Sequence, residues 1–167
     1  MKRVIGLIAI IICFLLQSTL FHYIAFAGIV PNLMIIITSI LGFMEGRTDG
    51  MLAGFLCGLL TDIFYGSVLG MNALIFLLIG YANGALNRVF YPDDIKFPLL
   101  FIAASDTACL ILTYLTGFLL RARFNMGYYF IHLMLPELAY TIAVSLIVYI
   151  PVRNIFLLFE RRNTEDG

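Results

Sequence analysis

The chain has 167 residues, of which 62% are hydrophobic and 12% are charged, and its formal net charge at pH 7 is +0. Soluble domains are about 45–50% apolar and about 25% charged, so this composition, with a mean hydropathy of +1.03, excludes an ordinary soluble domain. The lack of net positive charge argues against a basic surface for nucleic acid, and we expect no nucleic-acid partner. Apolar segments recur from Val4 to Phe159, which predicts an all-α integral membrane protein.

The first apolar segment, residues 4–23, follows a short basic start at Lys2 and Arg3. Such a start is typical of a secretory signal peptide as well as of a first membrane helix. No small-residue cleavage site follows, and several apolar segments come after it. We therefore predict a retained membrane helix.

Five further apolar segments follow, separated by short stretches whose residues favour turns. A spanning helix needs about 20 apolar residues, and no segment shows the period-two alternation of a membrane barrel strand. Pro31 is predicted to lie in the first turn of the second helix, where proline is tolerated. The six predicted helices cover residues 4–23, 31–44, 50–65, 71–91, 97–120 and 128–159. They form one transmembrane domain, 1–159, which is followed by a polar cytoplasmic tail, 160–167.

Lysine and arginine residues predict the orientation, because they are enriched in the cytoplasmic loops of membrane proteins. With six spans, Arg121 and Arg123 fall on one side of the membrane and the remaining basic residues fall on the other. An odd number of spans would break this sorting. We therefore predict a multi-pass protein with both termini in the cytoplasm. The basic residues on the predicted cytoplasmic side are Lys2, Arg3, Arg47, Arg88, Lys96, Arg153, Arg161 and Arg162.

A strip of glycines at four-residue intervals runs along the third predicted helix, and an acid, Asp62, occupies one step of it. Small residues let membrane helices pack closely, and a second small pair lies on the fourth predicted helix. The two strips either pack on each other, or one of them receives a partner helix. The glycines are Gly50, Gly54, Gly58, Gly66 and Gly70 around Asp62, with Gly80 and Gly84 on the fourth helix.

Asp62 admits two interpretations. An ionisable group in a membrane helix is a functional hypothesis by default, here a proton or ion site. The alternative is structural, because the turn before the fourth helix has backbone amides that lipid cannot satisfy. We expect the structural role: Asp62 accepts hydrogen bonds from the turn 65–72, or caps the fourth helix near Met71 and Asn72.

The other ionisable groups within the predicted spans look dispersed. Asp106 and Glu137 have no basic partner at matching depth, so together with Asp62 they would suit a proton-coupled carrier or a lipid flippase, but the sequence shows no common site for them. The cysteines and histidines match no metal motif, and no catalytic motif is present. We predict no enzymatic activity, no cofactor and no metal.

Three motifs carry a resemblance to a known family. They are "PNL" at Pro31, Asn32 and Leu33, "GFLCGLLTDIFYGSVLGMNAL" at 54–74, and "IGYANG" at 79–84, and Gln17 in the first helix is also in keeping with them. In these motifs, and in hydropathy over nearly its whole length, the chain resembles the bacterial rod shape-determining MreD family. The specific motifs lie within residues 31–88.

The resemblance implies a non-enzymatic membrane scaffold of the elongasome, which helps to control rod cell shape and lateral peptidoglycan synthesis in the bacterial cell membrane. It implies a fold similar to that of the substrate-binding subunits of energy-coupling-factor transporters. The implied partners are an MreC-like bitopic protein, membrane lipid and, beyond these, an MreB-like actin filament and a RodA-type polymerase with a class B penicillin-binding protein. Pro31, Asn32, Asn72 and the glycines around Asp62 would then serve structure and interaction.

An alternative is the substrate-binding subunit of an energy-coupling-factor vitamin transporter, which is similar in size and span count. Such subunits commonly carry an AxxxA surface on the first helix. The first helix of this chain has Gly6 and Ala9 but no AxxxA, which favours the scaffold.

Overall fold

The computed structural model describes residues 2–23, 30–66, 68–86, 96–121 and 134–165. Within these ranges the chain is helical apart from short turns, and no strand occurs in them. The all-helical class predicted from the sequence is therefore confirmed for the described residues. The helices are α1 (Lys2–Tyr23), α2 (Leu33–Glu45), α3 (Arg47–Tyr65), α4 (Met71–Leu86), α5 (Lys96–Arg121) and α6 (Leu135–Glu165).

Two helix starts differ from those predicted. α2 begins at Leu33, because the side chain of Asn32 accepts a hydrogen bond from Ile35 N at 3.3 Å and so caps the helix. The prediction that Pro31 lies in the first helical turn is therefore wrong, and Pro31 precedes the cap. α3 begins at Arg47, earlier than expected, because Gly46 alone joins it to α2 with a φ of 93°.

The other differences concern the ends of the later helices. α6 continues as a helix to Glu165, so the polar residues that were predicted to form a separate tail extend the last helix. The predicted end of the fourth helix at residue 91 and the predicted start of the sixth at residue 128 lie outside the described residues.

The helices differ in whether they are long enough to cross a membrane. Among the described residues, two windows are long and apolar enough, Lys96–Thr116 in α5 and Leu135–Ile155 in α6. Shorter apolar helices are Arg3–Thr19, Leu33–Glu45 and Met71–Leu86. The 13 residues of α2 span about 20 Å, against a hydrocarbon thickness of about 30 Å. If α2 lies in a bilayer, at least one of its ends is below the surface, where backbone groups need protein partners.

α2 is the centre of the fold. Every residue from Leu33 to Phe43 is buried, and each of the other five described helices packs against it. Two of its polar side chains, Thr38 and Ser39, are also buried. The outer surface is apolar instead, as on α1, where the exposed side chains include Val4, Leu7, Ile8, Ile11, Ile12 and Leu15.

Side chains from the first and last helices satisfy the start of α2. Gln17 of α1 accepts a hydrogen bond from Met34 N at 3.2 Å, and Thr141 of α6 accepts one from Asn32 N at 3.3 Å. Together with the Asn32 cap on Ile35, these contacts meet the amides that a helix start leaves without intrahelical acceptors. α1 and α6 therefore fix where the central helix begins.

We expect Gln17→Met to lower the free energy of unfolding by about 1–3 kcal/mol, because Met34 N–H then loses its acceptor inside the protein. Leu16→Met is the matched control, since Leu16 is exposed on the same helix and accepts no hydrogen bond through its side chain. Thermal unfolding in detergent measures the effect. Equal midpoints for the two variants would contradict this assignment.

Candidate functional site: the glycine hairpin of α3 and α4 and Asp62

The glycine strip of α3 lies directly on the backbone of α4. The two helices run antiparallel, so each step of four residues along α3 corresponds to a step of four residues back along α4. A glycine therefore meets the facing backbone at every turn of the contact. The facing positions are Gly46 with Gly84, Gly50 with Gly80, Gly54 with Phe76, and Gly58 with Asn72 and Ala73.

At Gly50, Gly54, Gly58, Gly80 and Gly84, no side chain can be accommodated without moving the backbone. A Cβ atom on Gly50 would lie 2.5 Å from the carbonyl oxygen of Gly80 and 2.6 Å from Cα of Gly42 in α2. A Cβ atom on Gly84 would lie 2.5 Å from the carbonyl oxygen of Gly46. Contacts between carbon atoms are ordinarily about 3.5–4.0 Å. The strips therefore pack on each other, rather than leaving one strip open for a partner helix.

Asp62 occupies the next step of the strip, at the level where α4 begins. Its side chain is 2% exposed. Oδ2 accepts hydrogen bonds from Gly70 N at 2.9 Å and Ala73 N at 3.0 Å, and Oδ1 accepts one from Asn72 N at 3.2 Å. These amides belong to Gly70, which precedes α4, and to the first turn of α4, where the N–H groups have no intrahelical acceptors. Asp62, which lies on α3, thus caps the start of α4. The sequence predicted that Asp62 accepts hydrogen bonds there.

The strip changes from glycine to aspartate because the backbone amides of α4 are hydrogen-bonded within the helix but free at its first turn. Within α4 the facing backbone is already hydrogen-bonded, so close approach requires only that α3 has no side chain there. At the first turn the amides are free, so an acceptor is needed. A carboxylate is also favoured at a helix N-terminus by the helix dipole, and α4 has no acid in its own first turn.

The turn between α3 and α4 depends on two glycines that lie outside the helix–helix contact. Gly66 ends α3, its N–H donates to the Asp62 carbonyl at 3.0 Å, and a Cβ atom on it would lie 2.7 Å from Asp62 Cα. Gly70 has a φ of 95° with open space around it, a conformation that favours glycine. The four-residue spacing grouped Gly66 and Gly70 with the glycines of the helix–helix contact, but the role of these two glycines is to form the turn.

Asn83 connects the hairpin to the rest of the fold, and the sequence predicted no role for it. Its Nδ2 has two N–H donors for three nearby acceptors, which are Ser105 Oγ of α5 at 2.7 Å, Ile79 O at 3.0 Å and Ser39 Oγ of α2 at 3.4 Å. It is 3% exposed. An amide inside the apolar "IGYANG" motif was the available signal, but its partners lie on other helices.

Asp106 and Glu137 are not dispersed in the fold, which corrects the interpretation of the sequence. α5 packs against α6, and this contact brings the two carboxyl groups close enough to interact electrostatically. Asp62, on α3, belongs to the separate contact with α4.

A family model described as rod shape-determining protein MreD matches residues 1–159. A search of curated proteins and a search of solved structures each returned no match. The matched region contains the glycine hairpin with Asp62, the capped start of α2 and the contact between α5 and α6. The chain therefore belongs to the MreD family, whose role is in determining rod cell shape.

Proposed function

We propose that the protein is a non-enzymatic membrane scaffold of the elongasome, which partners an MreC-like bitopic protein and so supports lateral peptidoglycan synthesis. The family match over residues 1–159 carries this proposal. The interior is in keeping with it, because a scaffold must hold its helices in fixed relative positions. Backbone-to-backbone packing at Gly50 and Gly80 and the capping of α4 by Asp62 both serve that purpose.

We further propose six membrane spans with both termini in the cytoplasm, in a fold similar to the substrate-binding subunits of energy-coupling-factor transporters. Two apolar helices of spanning length and three shorter ones support the spans. The charged ends support the orientation: Arg3 Nε of α1 contacts Asp49 Oδ1 of α3 at 2.8 Å, and Arg47 lies 6.0 Å from the centre of the Tyr81 ring. Basic residues from two helix starts thus lie at one end of the fold, and the positive-inside rule supports placing that end in the cytoplasm.

The topology is tested with single cysteines introduced at Asn163, near the end of α6, and at Asn125, which lies outside the described residues. We expect an impermeant thiol reagent added outside the cell to label the cysteine at 125 and not the one at 163. The native cysteines are buried and give a low background. Labelling of both sites from the same side would contradict six spans.

The wider set of partners follows from the same proposal. An MreB-like filament on the cytoplasmic side and a RodA-type polymerase with a class B penicillin-binding protein in the membrane would act beside the MreC-like protein, and lipid would surround the apolar outer faces. No observation favours the vitamin-transporter alternative.

The proposed function is tested by affinity purification from the native host in mild detergent, with a tagged unrelated multi-pass protein of the same membrane as control. We expect an MreC-like bitopic protein to be retained with this chain and to be absent from the control. Depletion of the chain should round the cells. Retention of an energy-coupling ATPase instead, with rod shape unchanged on depletion, would contradict the scaffold.

A further inference from the structure

Asp106 is a buried acid without a hydrogen-bond partner among the described residues. It lies near the middle of α5 and is 0% exposed. Neither carboxyl oxygen has a partner within hydrogen-bonding distance in the part of the chain that the structure describes. The hydroxyl group of Thr141 on α6 faces Asp106, but it does not come within hydrogen-bonding distance of either carboxyl oxygen.

The helices that pack around Asp106 place another acid near it. Among the described residues they place no cation near it. α6 contributes Glu137, which lies close enough to Asp106 for the Asp106 carboxyl group to act on it electrostatically, and Cys109 on α5 lies near both acids. α4 has no charged residue between its ends. The charged residue of α2 is Glu45, its last residue, which lies beyond the contact of Phe43 with Phe101.

Asp62 shows what this protein provides for a buried carboxylate. Both acids are almost completely buried, but Asp62 accepts three backbone hydrogen bonds and Asp106 accepts none from the described residues. Burying a charge without partners is costly, and such a group becomes neutral instead. The surroundings of Asp106 thus suit a neutral carboxylic acid.

We propose that Asp106 is a proton-binding site, in which the folded protein holds one exchangeable proton at the contact of α5 with α6. Glu137 is the second acid of the site. It is half-buried in the first turn of α6, whereas Asp106 is fully buried, so Glu137 is the more exposed of the two acids and the group through which the proton exchanges. On binding, an O–H bond of a hydronium ion from solvent breaks, which leaves water, and an O–H bond forms at a carboxylate oxygen of Asp106; on release, that bond breaks and water takes the proton as hydronium. The proposal concerns α5 and α6 and does not depend on the scaffold function.

Infrared spectroscopy of the purified full chain in lipid vesicles tests the proposal directly. At neutral pH we expect the carbonyl stretch of a protonated carboxylic acid, with a shift in D2O. Asp106→Asn should lose this band, and Glu137→Gln should keep it with slower deuterium exchange. If the wild-type protein shows only carboxylate bands at neutral pH, the proposal is wrong, whatever the variants do.

The pH dependence of thermal unfolding provides a second test. The wild-type midpoint should fall as the pH rises, because the folded protein holds a proton that the unfolded chain gives up to solvent. Asparagine is neutral and has the same shape as aspartate, so the thermal midpoint of the Asp106→Asn variant should change less over the same pH range. Identical pH profiles would contradict the proposal. A wild-type midpoint that Na⁺ or K⁺ raises at high pH, while that of Asp106→Asn stays unchanged, would overturn it in favour of a metal-cation site.

Discussion

Asp62→Leu is expected to remove most of the folded protein from the membrane. The substitution leaves the amides of Gly70, Asn72 and Ala73 without their acceptor, and each unsatisfied buried amide costs about 1–3 kcal/mol. Whole domains are stable by only about 5–15 kcal/mol. Leucine can fill the volume, but it cannot replace the cap, so the hairpin loses the contact that sets where α4 begins.

Asp62→Asn separates loss of charge from loss of the acceptor. Its carbonyl oxygen can take the position of Oδ2 and keep the bonds from Gly70 and Ala73, while its amide group then faces Asn72 N–H. We expect an intermediate thermal midpoint and largely preserved folding. Asp49→Leu is the control on the same helix: it removes an acid whose partner, Arg3, has a 71% exposed side chain, and exposed ion pairs contribute about 0–1 kcal/mol. If Asp62→Leu and Asp49→Leu have equal midpoints, the cap does not stabilise the fold.

Gly54→Ala is expected to have the second large effect, although it adds only one methyl group. The new Cβ atom would clash with the carbonyl oxygen of Phe76 and would lie 2.7 Å from the carbonyl carbon of Phe76. Those are backbone atoms of α4, so no side-chain rotation relieves the clash. Overpacking costs about 1–3 kcal/mol where side chains can adjust, so we expect a loss at the upper end of that range or above it. Gly54→Leu and Gly58→Leu should lower the folded yield further.

Gly6→Ala is the matched control for this experiment. Its Cβ atom would meet only the Leu41 side chain, at 3.7 Å, an ordinary contact, and alanine is the better helix former. Folded yield and thermal midpoint in detergent should therefore be unchanged or slightly higher. If Gly54→Ala behaves like Gly6→Ala, the glycine strip is not a tight contact.

The sequence predicts local features of the hairpin well, for physical reasons. Glycines four residues apart indicate a face for close packing, and an acid before a glycine-rich turn indicates an acceptor for free amides. Neither pattern states which helix is the partner, since a strip can receive any small surface. Gly50 faces Gly80 because α3 and α4 run antiparallel, and this pairing could be seen only in the structure.

Contacts between distant parts of the chain could not be predicted from spacing. Thr141 meets Asn32 across 109 positions of sequence, so its part in the start of α2 carries no local signal. Asp106 and Glu137 appeared dispersed because they lie on different helices, and only the packing of α5 on α6 brings them together. The predicted position of Pro31 was wrong because the side chain of Asn32, rather than proline, determines where α2 begins.

Complementation of a strain depleted of this protein, with membrane levels measured by blotting, tests most directly the claim that Asp62 holds the hairpin of a shape-determining scaffold. We predict that rod shape follows the amount of folded protein: Asp62→Asn restores rods, and Asp62→Leu yields little protein and rounded cells. An Asp62→Asn protein that is present at wild-type levels and stable, yet fails to restore rods, would contradict this account and assign the carboxylate charge a role in activity.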